Sequence, residues 1–219
     1  MKITLDLSGL SPDLRCAIVR EVNDKKILSL FADDENDRVR FYVAKNASTS
    51  AETLSKLAEE KNRDIKRAVA GNPNTPAETL VKLAGFKEYD CDSIRDAVAK
   101  NPNTPAETLA KLAEDHSYVY KLYLAENPNT PAETLAKLNK DDGSTWSYNL
   151  RKAVASNPNT SAETLTELAE DNDGFLRWKV AENPNTPAET LVKLAEDKNV
   201  EVRRAASKAA VERLKRGLN

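Results

Sequence analysis

The chain has 219 residues, 33 Lys and Arg against 35 Asp and Glu, a formal net charge of −2 and 31% charged residues. That balance excludes nucleic-acid binding by bulk positive charge, because domains that work that way run strongly basic. No apolar run approaches the roughly 18 residues needed to cross a bilayer. The first seven residues lack the apolar stretch of a signal peptide, so a cytoplasmic location is expected.

Residues 1–24 differ in texture from the remainder of the chain, with a helix start at Ser11-Pro12, and are expected to form an N-terminal cap. From residue 25 the chain is repetitive. Asn-Pro-Asn-Thr-Pro-Ala-Glu-Thr-Leu begins at Asn72, Asn101, Asn127 and Asn183, with Ser161 replacing Pro in the copy at Asn157 and a degenerate copy at Asn46. The basic period is 26 residues, as from Asn46 to Asn72, and two insertions, 85–93 and 139–149, lengthen it. Such self-similarity signals a solenoid of supersecondary units.

Each block predicts two short helices. Thr75 is expected to cap helix A, with Pro76 at its first position and Glu78 completing a capping box. Leu80 and Leu83 then form a narrow apolar stripe. Helix B precedes each Asn. The Asn is expected in a left-handed C-terminal conformation, and the Pro after it blocks continuation. Leu28 and Phe31 align one period before Leu54 and Leu57, which sets the repeat array at 25–200. Residues 201–219, through Val211 and Leu214 to Lys215 and Arg216, read as a polar C-terminal capping helix.

The unit in Leu176-Arg177-Trp178-Lys179-Val180-Ala181-Glu182-Asn183-Pro184-Asn185-Thr186-Pro187, running on to Leu191 and Leu194, resembles the leucine-rich repeat variant family of HEAT-like solenoids. The resemblance covers about residues 25–210. It implies an all-α, right-handed superhelix of alternating α- and 3₁₀-like helices, and says little about activity. A cysteine-rich iron–sulfur segment found beside some of that family's repeats has no counterpart here.

Comparing the units with one another separates frame from variation. Helix A is nearly copied. In helix B, counting back from the Asn, the second residue is always Ala, the third Val or Leu, and the seventh is apolar in all but one unit, where Tyr120 stands. The first, fourth, fifth and eighth positions change. At about 100° per residue they share one face, away from the apolar pair.

The B helices and the A–B loops hold every aromatic residue except Phe31, which, like Tyr120, is expected to pack between units. Phe41, Tyr42, Arg67, Tyr118, Tyr123, Trp146, Tyr148, Lys152, Phe175, Trp178 and Lys179 are the candidate partner-binding residues. Phe175, Trp178, Tyr123 and Trp146 are the chosen anchors, because large amphipathic side chains dominate protein interfaces. A protein partner is expected.

Nucleic acid ranks second. Six before each Asn stands a cation (Arg40, Lys66, Arg95, Lys121, Arg151, Arg177, with Arg203 following), and stacked cations could track a phosphate backbone. An inter-unit ion-pair ladder is the simpler reading. A purely structural spacer is the third. No catalytic motif, cofactor or metal site is read: Cys16 and Cys91 look like buried thiols, and His116 stands alone in an A–B loop.

Overall fold

The computed structural model describes residues 9–86, 92–114, 118–140 and 147–217, all of them helix, turn or irregular, without strand. In chain order the helices are α1 (Pro12–Glu21), α2 (Lys25–Phe31), α3 (Asp37–Lys45), α4 (Ala51–Ala58), α5 (Arg63–Gly71), α6 (Ala77–Ala84), α7 (Asp92–Lys100), α8 (Ala106–Leu112), α9 (Tyr118–Glu126), α10 (Ala132–Asn139), α11 (Ser147–Ser156), α12 (Ala162–Leu168), α13 (Gly174–Glu182), α14 (Ala188–Leu194) and α15 (Val200–Gly217). Even-numbered helices are A, odd-numbered are B. None is long and apolar enough to cross a membrane among the described residues.

The chain forms two compact units, Met1–Pro105 and Ala106–Asn219. In the first, the B helices α1, α3, α5 and α7 pack in succession; in the second, α9, α11, α13 and α15 do. The frame positions make the core. Val39, Val43, Ala44, Leu54, Ile65, Val69, Ala70 and Leu80 are fully buried in one unit, and Leu124, Ala125, Leu135, Val154, Ala155, Leu165, Val180 and Ala181 in the other. Each buried leucine contributes about 1.5–3 kcal/mol, and none of these helices, at seven to ten residues outside α15, is long enough to stand alone in water. Phe31 is buried as expected, and Cys16 is a buried free thiol; Cys91 and His116 lie outside the described residues.

Helix A starts one residue later than its sequence suggests. Pro76, Pro131 and Pro187 are themselves the N-caps, and give no side-chain hydrogen bond. Ser50 and Ser161 occupy the same place and accept from the Thr53 and Thr164 amides. The preceding threonine does something else. The hydroxyls of Thr49, Thr104 and Thr130 each donate, at 2.6 Å, to a carbonyl six residues back (Val43, Val98 and Leu124), satisfying a buried acceptor near the end of helix B. The Thr75–Glu78 capping box is therefore corrected. Both helices are α, too, rather than alternating α and 3₁₀; 3₁₀-type bonds, such as Glu60 N to Leu57 O after helix A and Asn72 N to Val69 O after helix B, occur at helix ends.

The asparagine is not left-handed. Asn46, Asn72 and Asn183 are extended, with φ from −80° to −69° and ψ from 124° to 130°. Pro73 and Pro184 push Asn72 and Asn183 into this region and away from the helical ones; Asn46, followed by Ala47, adopts it with the same side-chain bonds. The side chain then bridges three backbone groups. In Asn72, Oδ1 accepts from the Asn74 amide at 2.9 Å, while Nδ2 donates to Ala44 O at 2.7 Å and Asn46 O at 2.9 Å in the preceding repeat. Asn101, Asn157 and Asn183 repeat the pattern, all nearly buried. Asn46 makes the same reach to Val19 O and Val22 O, so α1 already occupies the place of a B helix.

Asn157→Ala should remove these bonds and strand two buried carbonyls, a loss of about 2–4 kcal/mol. The exposed Asn159→Ala should cost less than half as much. Urea unfolding followed by circular dichroism tests the ranking, and equal midpoints for the two variants would refute it.

Candidate functional site: the variable face of the B helices

Because helix B is α-helical, its variable positions do share a face. The described ones are exposed or half-buried, apart from Ala153 at 9% exposure, whereas the second, third and seventh positions are fully buried or nearly so.

In the second unit the face is richest on α13. Phe175, 46% exposed, lies 5.0 Å from Trp178 between ring centroids, with the planes tilted by 42°. Lys179 Nζ sits 4.3 Å from the Trp178 ring and 5.8 Å from Phe175. Lys152 reaches across from α11 to 5.8 Å from the same Phe175 ring. Lys179 also pairs with Glu182 at 3.4 Å. Cations over aromatic faces are attracted by the ring quadrupole, which keeps these long side chains over the rings.

Four of the candidates thus form one cluster. Tyr123 is half-buried on α9. Tyr148, at the start of α11, stands apart from the cluster: burial, with the carboxylates of Asp173 and Asp171, pushes its hydroxyl above the ordinary value. Trp146 and the side chain of Tyr118 lie outside the described residues, as do Tyr89 and the side chain of Tyr120.

The first unit carries a smaller counterpart. Phe41 and Tyr42 meet edge to face at 5.4 Å, and the Arg20 guanidinium stacks 3.8 Å above Tyr42 while donating to a tyrosine hydroxyl, that of Tyr42 itself. That bond holds the hydroxyl below its usual value. Arg67 pairs with Asp64 at 3.1 Å. Burial raises the Asp96 carboxyl on α7.

Clefts open between some neighbouring B helices, a feature not read from the sequence. One of about 300 Å³ separates α9 from α11, with Leu122, Ala125, Lys152 and Ala153 among its lining. Another of about 420 Å³ lies between α13 and α15, beside Ala205, Lys208 and Ala209. A third of about 360 Å³, within the first unit, lies between α5 and α7 over Ala97. In each the fourth position back from the Asn, or its equivalent in α15, is alanine. The only signal in the sequence was that small residue at a position where Tyr42 and Tyr123 stand elsewhere.

The basic column belongs to the frame. Arg177 pairs with Asp197 at 2.6 Å, both side chains under 10% exposed, and its other nitrogen donates to Asp171 O and Asn172 O. Arg40 does the same with Glu60, Asp34 O and Glu35 O, and Arg151 pairs with Asp171. Lys66 donates to Ala58 O and Arg95 to Phe86 O. Each arginine thus closes the end of its own helix A or ties it to the next repeat, the ion-pair ladder rather than a phosphate track. No group of three His, Cys, Asp or Glu placed to hold a metal occurs among the described residues.

Fold and face together define a class, the α-helical repeat scaffold. A family model described as Leucine Rich Repeat Variant domain matches residues 149–210. A solved structure described as a leucine-rich repeat variant with a novel repetitive protein structural motif is 25% identical, with a TM-score of 0.57 over 93% of this chain and 78% of that one. The chain is therefore similar to leucine-rich repeat variant proteins in sequence and in fold. More distant matches include an archaeal HEAT-like repeats protein from Thermococcus onnurineus NA1 (11% identity, TM-score 0.35, 92% and 96% of the two chains) and a designed armadillo repeat protein in complex with the peptide (KR)4 (16%, 0.35, 93% and 99%). No curated protein matches the chain.

The Arg177 guanidinium holds the Asp197 carboxyl below the usual carboxylate range. A depressed carboxylate contributes its stability above the unfolded pKa and loses it as pH falls through the folded one. Asp197→Asn should therefore cost about 1.5–3 kcal/mol at neutral pH, the range for a hydrogen bond to a charged group. The difference from wild type should shrink below about pH 4. Thermal melts from acid to neutral pH check this; a constant difference would show that the pair is not the cause.

Proposed function

We propose that the chain is a non-catalytic scaffold that binds a protein partner through the variable face of its B helices, with Phe175, Trp178, Tyr123 and Trp146 as apolar anchors. Lys152, Lys179 and Arg67 steer the approach, and Phe41, Tyr42, Tyr118 and Tyr148 extend the surface. The observation that carries this reading is the α13 cluster. A phenylalanine nearly half exposed is stacked on a tryptophan and flanked by two lysines, on the one face that the copied frame leaves free to vary. Exposed aromatics of this kind cost little entropy to immobilise and bury much area, as interface hot spots do. The engagement of the basic column in ion pairs and carbonyl contacts argues against its use for nucleic acid.

A tagged pull-down from source-cell lysate, with and without nuclease, tests the reading. The comparison is between wild type and a variant carrying Ser at Tyr123, Trp146, Phe175 and Trp178, after circular dichroism shows that the variant folds. A partner captured only by wild type and indifferent to nuclease is expected. Capture that disappears with nuclease would move the reading to nucleic acid, and equal capture by both proteins would remove the aromatic face as the site.

A further inference from the structure

In the second unit the clefts α9/α11 and α13/α15 lie on either side of the α11/α13 contact, and the Phe175–Trp178 cluster stands between them. Both clefts are open and sit over an alanine at the fourth position; the first is mainly apolar, with Leu122 and Ala125 in its wall, and the second sets Ala205 and Ala209 within a more polar rim. Neither cleft has an excess of one sign: Glu126 and Lys152 both line the first, and Lys208, Arg213, Glu182 and Glu212 line the second. Arg213 is already committed to the carbonyls of Thr186, Asn183 and Pro184. The ground between the clefts is different. There Lys152 and Lys179 flank Phe175, each 5.8 Å from its ring; Lys179 is paired with Glu182, whereas Lys152 makes no ion pair among the described residues and leaves the ridge net positive.

The geometry points to a single extended peptide segment of the partner that crosses this unit. It seats one apolar side chain in each cleft and places acidic residues over the Lys152–Lys179 ridge. Packed helices lie about 8–10 Å apart, so two steps from cleft to cleft span roughly 16–20 Å. An extended chain rises about 3.3 Å per residue and alternates its side chains between two faces, which sets two apolar anchors on one face about six residues apart. The clefts supply non-directional burial and the ridge supplies the sign of charge. Spacing between the alanine-floored gaps supplies the register. This deepens the scaffold reading and rests on it.

The test uses the full chain and a phage-displayed library of random peptides about a dozen residues long, roughly twice the span between the anchors. Selection should enrich peptides with two apolar residues about six apart and Asp or Glu between them. Ala153→Tyr and Ala205→Tyr, which place in the clefts the side chain that Tyr42 and Tyr123 supply elsewhere in the frame, should each weaken the selected peptides at least tenfold in fluorescence anisotropy. Lys152→Glu with Lys179→Glu should lower the affinity and shift a fresh selection toward basic centres. Circular dichroism checks that every variant folds.

Selected peptides that bind the tyrosine variants as well as wild type, or that carry basic centres, would overturn the two-cleft peptide. So would a library with no enriched sequence. The two readings fail separately. A lysate partner lost on changing Phe175 and Trp178, but held equally by the tyrosine variants, would leave the aromatic scaffold standing without the peptide register. A partner indifferent to both sets would remove both.

Discussion

The repeats are held to one another by a buried side-chain amide. Asparagine can accept and donate at once, and here its oxygen closes its own turn while its nitrogen reaches two carbonyls of the preceding repeat. No other side chain of that length offers both functions in one plane. A helix end leaves carbonyls without partners, and in a stacked array those carbonyls face the neighbouring repeat instead of water. Meeting them with an amide turns a desolvation penalty into the contact that sets the spacing between B helices.

The rest of the frame follows from that spacing. Alanine two before the Asn allows close approach, and valine or leucine before it fills the layer beneath. Threonine three after the Asn turns its hydroxyl back to a helix B carbonyl and is buried in doing so. On the opposite end of each unit the arginine column joins consecutive helix A ends, in Arg177 through a carboxylate and two carbonyls. Lys56, Lys82 and Lys193 add a second, exposed rung to Asp33, Glu59 and Glu170. Such exposed pairs contribute little stability each, but they favour one register over its neighbours.

A frame so satisfied leaves one face of helix B free to vary, and that is the face on which we propose the partner binds. Large residues stand up from it as ridges. Alanines open clefts between them. The same four positions therefore decide both where a large side chain stands and where a cleft opens. Frame and face use different positions of the same helix.

Repetition made the frame legible in the sequence alone. The period, the two-helix unit, the buried Ala, Val and Leu positions, the burial of Phe31, the ladder role of the basic column and the variable stripe all follow from comparing copies. A packing constraint repeated from unit to unit shows as identity. The conformation of the asparagine, the true helix A cap and the role of α1 did not show. The first two depend on which of several local hydrogen bonds each polar side chain chooses, and threonine and asparagine each had a more local option than the one the fold uses. Helix α1 lacks the Asn-Pro motif, so only its packing on α3 reveals it as a B helix. The clefts over Ala153 and Ala205 and the reach of Lys152 to Phe175 were also decided only by tertiary structure, because each arises between different helices. A linear pattern can place a residue on a face, but what stands beside it depends on how neighbouring helices pack.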